Sequence, residues 1–446
     1  MIARRTAVAV VFGASAAVLV LELLALRLLA PSLGLTLETT SLVIGVCLGG
    51  IALGAWLGGA AADRSDPRGL LGPLLVAGGL TAMASLPLAQ VPVVGVLWFA
   101  VPAALLSAVS PVTAKARLSD LGEAGEVVGS LSAWATGGAL AGTFLTGFVL
   151  LGALPNAPIV LGTGAVLVLA GVLLGARARG AVAGGVVLAG LGAAVGTRCD
   201  VETAYFCARV EAVSGSERLL VLDDLRHAQV DLRDPGRLTF RYTQLIAAAM
   251  PPGRLEVLHI GGGGFTLPRW VLAQRPGSRN VVLEVDEDVV ALARDRLGLR
   301  TGPALRVRTG DARLLVRDEP SRRYDVVVGD AFGALAVPWH LTTRELVADL
   351  HRVLRPGGLY ALNLIDRGPL AFARAQAATL AERFRHVAVL GPPDGGNLVL
   401  LASDRPLPRV ALRDGEVRRE GRAFARGADV LTDAHAPVDQ LHSPRG

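Results

Sequence analysis

The chain has 446 residues, enough for two or three domains, and its 52% hydrophobic content with 54 glycines is unlike a soluble enzyme of that size. The formal charge of +6 comes almost wholly from arginine, Lys115 being the only lysine, and no basic run interleaved with aromatics accompanies it. That argues against nucleic acid as a partner. Charges are sparse over 1–197 and dense beyond 198, the asymmetry of a membrane part followed by a soluble part.

In chain order, seven apolar segments appear at 7–30, 40–61, 70–90, 93–113, 127–152, 157–176 and 181–197. Each approaches the roughly 20 residues that cross about 30 Å of hydrocarbon, the last being short and glycine-rich. The first is too long for the apolar region of a signal peptide. Gly45, Gly49, Gly50, Gly54 and Gly58 have the three- and four-residue spacing that lets helices approach closely. Glu22 and Arg27 lie within the first segment, where an ionisable group is expected to face a partner helix or, for Arg27, to reach the interface. Arg4, Arg5, Arg64, Arg68, Lys115, Arg117, Arg177 and Arg179 occupy alternate connections. A multi-pass cell-membrane protein with a cytoplasmic N-terminus is therefore expected. Seven crossings would put the soluble part outside and six would put it inside. Cys47 reads as a packing residue, and Cys199 with Cys207 reads equally as a disulfide or as two thiols.

Beyond 198 the pattern predicts a β-hairpin lobe over 205–235 and a helix over 238–250 that stops at Pro251 and Pro252. Strands follow at 255–260, 280–285, 304–309, 324–329, 358–365, 386–390 and 397–402. Between them lie helices at 266–275, 287–297, 312–317, 342–354 and 369–383. Strands alternating with helices of this length give a mainly parallel sheet covered on both faces. The expected organisation is a membrane domain over 1–197, a β-hairpin lobe with its connecting helix over 198–250, a Rossmann-like nucleoside-binding domain over 251–405, and a polar tail over 406–446.

The strand ends carry the chemistry. The first main strand stops on Gly261, Gly262, Gly263 and Gly264; the second ends on Glu284 and Asp286; the third on Gly310, Asp311 and Ala312; the fourth on Asp330. Glycines let ligand atoms approach backbone N–H groups, and an acid past the second strand can take two ribose hydroxyls. Each acid also has a plainer role. Glu284 could be a surface charge, Asp311 could cap the short helix after it, and Asp330 could cap a turn. His340 falls on an expected lid loop.

This ordered set, together with Tyr205 and Tyr242 upstream and the Arg355-Pro356-Gly357-Gly358 turn, resembles the spermidine synthases, and the fused arrangement resembles membrane-bound spermidine synthase-like proteins. The likeness covers roughly 199–405. It implies an α-helical multi-span domain followed by a methyltransferase-type α/β domain with a small β N-terminal lobe. It also implies transfer of an aminopropyl group from decarboxylated S-adenosylmethionine to an amine such as putrescine, without a metal. Under it Gly261, Gly262, Gly263, Glu284, Asp311 and Ala312 hold the nucleoside, and Asp330 is the general base. Tyr205, Tyr242 and Gln244 contact substrate. The lipid bilayer and a small amine are the partners, and a homo-oligomer is left open. Five positions depart from the family pattern. Gly264 and Gly333 stand where aspartates are usual, Phe206 follows Tyr205 in place of glutamine, and Thr243-Gln244 replaces a His-Glu pair. The nucleoside half of the pattern is kept and the cation-binding half is not. An S-adenosylmethionine-dependent methyltransferase, or a non-catalytic membrane sensor or transport-associated protein, are the alternative readings.

Overall fold

A backbone in hydrocarbon must satisfy its own hydrogen bonds, so the apolar runs of the N-terminal part become helices. The structure, a computed structural model, describes residues 2–33, 37–118, 124–176, 199–333 and 337–442, with 184, 187 and 190. The chain divides into two units, Met1–Arg198 and Cys199–Gly446. In the first lie helices α1 (Arg4–Leu33), α2 (Leu37–Arg64), α3 (Pro67–Leu88), α4 (Pro92–Trp98), α5 (Ala100–Ser107), α6 (Val109–Arg117), α7 (Ala124–Leu145) and α8 (Asn156–Leu173). Among the described residues six stretches are long and apolar enough to cross a membrane: Arg4–Pro31, Leu37–Arg64, Pro67–Leu88, Pro92–Arg117, Ala124–Ala153 and Asn156–Leu173. The seventh expected segment, 181–197, lies outside the described residues apart from three isolated positions.

Part of the glycine pattern has a packing role. A Cβ at Gly50, Gly54 or Gly58 would lie 2.5, 2.0 or 2.7 Å from main-chain atoms of Ala100, Ala104 and Ala108, so α2 lies backbone to backbone against α5 and its C-terminal end. Gly45 and Gly49 face open space.

The second unit begins with four antiparallel strands in sequential order: β1 (Val201–Glu202), β2 (Cys207–Ser214), β3 (Glu217–Leu222) and β4 (Leu225–Asp231). Cys199 and Cys207 form a disulfide at its base. After α9 (Arg241–Ala249) come β5 (Glu256–Ile260), α10 (Thr266–Gln274), β6 (Arg279–Glu284), α11 (Glu287–Arg296), β7 (Leu305–Thr309), α12 (Ala312–Leu315) and β8 (Tyr324–Gly329). The chain continues through α13 (Arg344–Val353), β9 (Leu354–Arg367), α14 (Ala371–Ala381), β10 (His386–Gly391), β11 (Gly395–Ser403) and β12 (Val417–Glu420). The large sheet has the order β12-β10-β11-β9-β8-β5-β6-β7. It is parallel from β9 to β7 and antiparallel where β10, β11 and β12 join.

Successive strand residues feed opposite cores. Leu258 and Val327 pack with Leu362 and Phe372 on one face, while Val257, Val326 and Val328 pack with Leu245 and Val271 on the other. The chain leaves β5 toward β6 and β7, then returns to place β8 on the other side of β5. That reversal opens a crevice at the carboxyl ends of β5, β6 and β8. The segment read as a polar tail instead packs onto the sheet domain. It supplies β12 beside β10, Leu431 and Val438 are buried in the core, and Asp433 holds Arg313 at 2.6 Å.

Candidate active site

Four neighbouring strands, β8, β5, β6 and β7, carry Asp330, the glycines, Glu284 and Asp311 at their carboxyl ends. At Gly261 the chain adopts φ +91°, and a Cβ there would lie 2.5 Å from the Asp330 carbonyl oxygen, so glycine alone permits this crossing. Asp330 N–H donates to Ile260 O at 2.8 Å, which ties the two strand ends together.

Glu284 is almost fully buried, and its carboxylate turns onto the glycine loop. Oε2 accepts from Gly262 N–H at 2.6 Å and Gly263 N–H at 3.2 Å, and Oε1 accepts from Asp286 N–H at 3.1 Å. Burial raises its pKa, and these backbone donors oppose the shift. The loop N–H groups expected to meet a ligand therefore orient the acid. A carboxylate offers about four acceptor directions, so one remains on Oε1 for a ribose hydroxyl.

Asp286 caps α11 through Asp288 and Val289 N–H, and its other oxygen accepts from Thr203 Oγ1 of the lobe. The Thr203 hydroxyl in turn accepts from Tyr205 and Phe206 N–H at 3.0 and 2.9 Å. Tyr205 is thereby carried to the acids. Burial and then the carboxylates of Asp286, Asp311 and Glu284 raise its phenol pKa. Asp311 takes the capping role at α12, with Oδ1 accepting from Arg313 N–H at 2.8 Å, while Oδ2 lies 3.6 Å from His340 Nε2. Ala312 presents only main chain, because its methyl belongs to the core with Ile260 and Leu283.

Asp330 is enclosed among uncharged neighbours. Tyr242 OH donates to Oδ2 at 3.1 Å and Asn363 Nδ2 donates to Oδ1 at 2.9 Å, and Asn397 Nδ2 donates to Asn363 Oδ1 at 3.1 Å. Burial pushes the carboxyl up to about 6 against both hydrogen bonds. The Tyr242 phenol is held well above its ordinary value by burial and by Asp330, so it remains a donor. A cavity of about 410 Å³ opens on this group, lined among others by His227, Phe240, Phe332 and Asn397. A narrow recess shares His227, Tyr242 and Asp330 with it and runs along the four glycines. His227 packs near Phe206 and Phe332, and burial lowers its pKa to about 4, so it is neutral.

Gln244 does not belong to this site. Its Nε2 donates to Leu238 O at 2.8 Å and its Oε1 accepts from Arg413 at 2.9 Å, so one polar end holds the approach to α9 and the other the C-terminal segment. Thr203, His227, Asn363 and Asn397 are site residues that sequence reasoning missed. Asn363, a lone amide within an apolar strand, was the one legible signal. Gly264 has no room for an acid, since a Cβ would lie 2.5 Å from the Ala228 methyl of β4.

The fold is a Rossmann-like domain of the methyltransferase type, with a β lobe beside the strand-end acids. No protein-family model matches the chain. It is similar to polyamine aminopropyltransferase 2 of Streptomyces coelicolor, 32% identical over 45% of this chain and 44% of that protein. It is also similar to a polyamine aminopropyltransferase of Vibrio vulnificus, 27% identical over 39% of this chain and 58% of that protein. The chain thus spans less than two thirds of either relative. Among solved structures, a probable spermidine synthase from Corynebacterium glutamicum is 28% identical with a TM-score of 0.49, covering 52% of this chain and 95% of that one. The likeness read from the ordered strand ends is borne out. The soluble half is similar to the polyamine aminopropyltransferases, and six apolar helices fit a fused membrane part.

Proposed function

We propose that the soluble domain transfers an aminopropyl group from decarboxylated S-adenosylmethionine to an amine, with Asp330 as general base. The amine nitrogen attacks the carbon bonded to the sulfonium. A C–N bond forms as the C–S bond breaks, and the electron pair passes to sulfur, leaving methylthioadenosine. The excess proton on nitrogen goes to Asp330. One observation carries this reading: a carboxyl raised to about 6, ionised at neutral pH yet more basic than an ordinary aspartate, stands where the cavity meets the glycine recess. Tyr242 and Asn363 hold its two oxygens and fix its direction.

The donor's adenosine lies along the glycine loop. Glu284 takes one ribose hydroxyl through its free acceptor direction, and Asp311 takes the adenine amino group while still capping α12. Tyr205 covers the nucleoside from the lobe. The sulfonium is already activated, so orientation of the two reactants supplies most of the acceleration.

Calorimetry on the purified full chain tests the reading. Decarboxylated S-adenosylmethionine should bind more tightly than S-adenosylmethionine, and Asp330→Asn should keep that binding while losing methylthioadenosine release. Tighter binding of S-adenosylmethionine would favour methyl transfer, and binding of neither would remove the enzymatic reading.

A further inference from the structure

The charge around the acceptor end of the cavity is unusual for a site that receives a polyamine. Four side chains there can carry charge: Arg226, His227, Arg241 and Asp330. Asp330 is the single carboxylate, and the attacking nitrogen occupies it. His227 is neutral. Arg241 is committed elsewhere, its Nε and Nη2 lying 2.7 and 2.6 Å from the Glu416 carboxylate, which does not line the cavity. Arg226, from β4, is exposed and has no hydrogen-bond or ion-pair partner among the described residues. The rest of the wall carries no charge: it is apolar at Leu225, Phe240, Phe332 and Ile365, hydroxyl at Thr239 and Tyr242, and amide at Asn363 and Asn397. The Asn397 Oδ1 is left as a neutral acceptor, since its Nδ2 is bound to Asn363.

A dication in this cavity would place one nitrogen on Asp330 and bring its second ammonium toward Arg226, with no second carboxylate on the cavity wall to receive it. A buried or half-buried like-charge contact is unfavourable, whereas an anion at the same place gains a guanidinium with two parallel donors. Resting on the transferase reading above, we infer that the acceptor is an amine whose far end carries a carboxylate, an ω-amino acid, with Arg226 as the residue that takes that carboxylate and sets specificity. The amino end meets Asp330 and Asn397, the methylene chain lies on Phe240, Phe332 and Ile365, and the carboxylate meets Arg226. The reaction is unchanged: the amine nitrogen gains the aminopropyl carbon, sulfur keeps the C–S electron pair, and Asp330 takes the proton. A cavity of about 410 Å³ is of the size small-molecule sites use.

The test compares three acceptors of similar length on the full chain in detergent: 4-aminobutyrate, n-butylamine and putrescine. Methylthioadenosine release is followed by mass spectrometry. The expected kcat/KM order is 4-aminobutyrate, butylamine, putrescine, with roughly a tenfold span for an exposed arginine. Arg226→Gln should narrow the span and Arg226→Glu should invert it. Putrescine as the preferred acceptor, unaffected by Arg226→Glu, would overturn the inference and leave aminopropyl transfer standing. Absence of methylthioadenosine with every amine would instead remove the transfer reading. The melting temperature of the methylthioadenosine-loaded protein then decides the ligand question. A rise with 4-aminobutyrate, absent with putrescine and lost in Arg226→Glu, supports the carboxylate site, and no rise overturns it.

Discussion

Removal of one hydroxyl tests how Asp330 is tuned. In Tyr242→Phe the ring keeps its place beside Phe240, but the donor to Asp330 Oδ2 at 3.1 Å is gone. That bond favours the ionised carboxylate, and burial already holds the carboxyl at about 6. A hydrogen bond to a charged group contributes about 1.5–3 kcal/mol, and at this length the lower end applies. Since one pKa unit is about 1.36 kcal/mol, the carboxyl should rise by about one unit, to near 7. The base works only when ionised, so the acid limb of the kcat/KM profile should move up by the same amount. The variant should lose roughly threefold at about pH 6.5 and almost nothing at about pH 8.5. Full pH profiles of both proteins, with methylthioadenosine release as readout, provide the assay. An unmoved acid limb, or a loss equal at all pH values, would refute the assignment of that limb to Asp330.

Asp330→Asn should abolish transfer but stabilise the fold at alkaline pH. The raised carboxyl favours the folded state only while protonated; that contribution is full below its unfolded pKa near 4 and lost as pH rises through about 6. The variant's advantage in thermal unfolding should therefore grow between about pH 4 and pH 6, reach about 3 kcal/mol above that range, and vanish near pH 4. Gly264→Asp should not restore an ammonium anchor, because its Cβ meets the Ala228 methyl at 2.5 Å; overpacking of about 1–3 kcal/mol is expected, relieved in the Gly264→Asp, Ala228→Gly double variant. Leu431→Ala should destabilise the sheet domain by about 2–5 kcal/mol in denaturant unfolding, since Leu431 is 1% exposed within the main core; a surface-like value would show that the C-terminal segment is not part of it.

Most of the fold was legible because its elements follow from strong periodic signals. Val257 and Leu258 had to face opposite cores, and the turns at Pro251, Gly277 and Gly298 cut the chain where the strands and helices separate. The strand order was not written in any one strand. It follows from the return of β8 to the far side of β5, which the alternation of strand and helix permits but does not demand. The C-terminal segment was misread for a compositional reason. Many of its arginines face solvent or bind carbonyls, as Arg418 binds Pro408 O at 2.8 Å, and of its apolar residues Ala425, Leu431 and Val438 are inserted in the core. Ala425, Leu431 and Val438 are separated by six and seven residues, which gives neither a strand nor a helix period to detect.

The site was legible in its positions and illegible in its orientations. Residue type and spacing put Glu284, Asp311 and Asp330 at strand ends, because a carboxylate there follows a β-strand whatever the strand's neighbours are. Which way the carboxylates of Glu284 and Asp330 turn depends on donors from distant segments, Gly262 and Gly263 for the first, Tyr242 and Asn363 for the second, whereas Asp311 is held locally by Arg313 N–H. Gln244 shows the same dependence in reverse, for a polar residue two positions from Tyr242 was drawn away by Arg413, 169 positions along the chain. The position of Gly264 then connects fold to specificity. Ala228 closes the space where a side chain at 264 would sit, and Arg226, two residues earlier on the same strand, lines the cavity that opens on Asp330. One strand of the lobe thus excludes a carboxylate from one end of the crevice and supplies a guanidinium at the other. A change of acceptor would accordingly require altered residues on β4 as well as on the glycine loop.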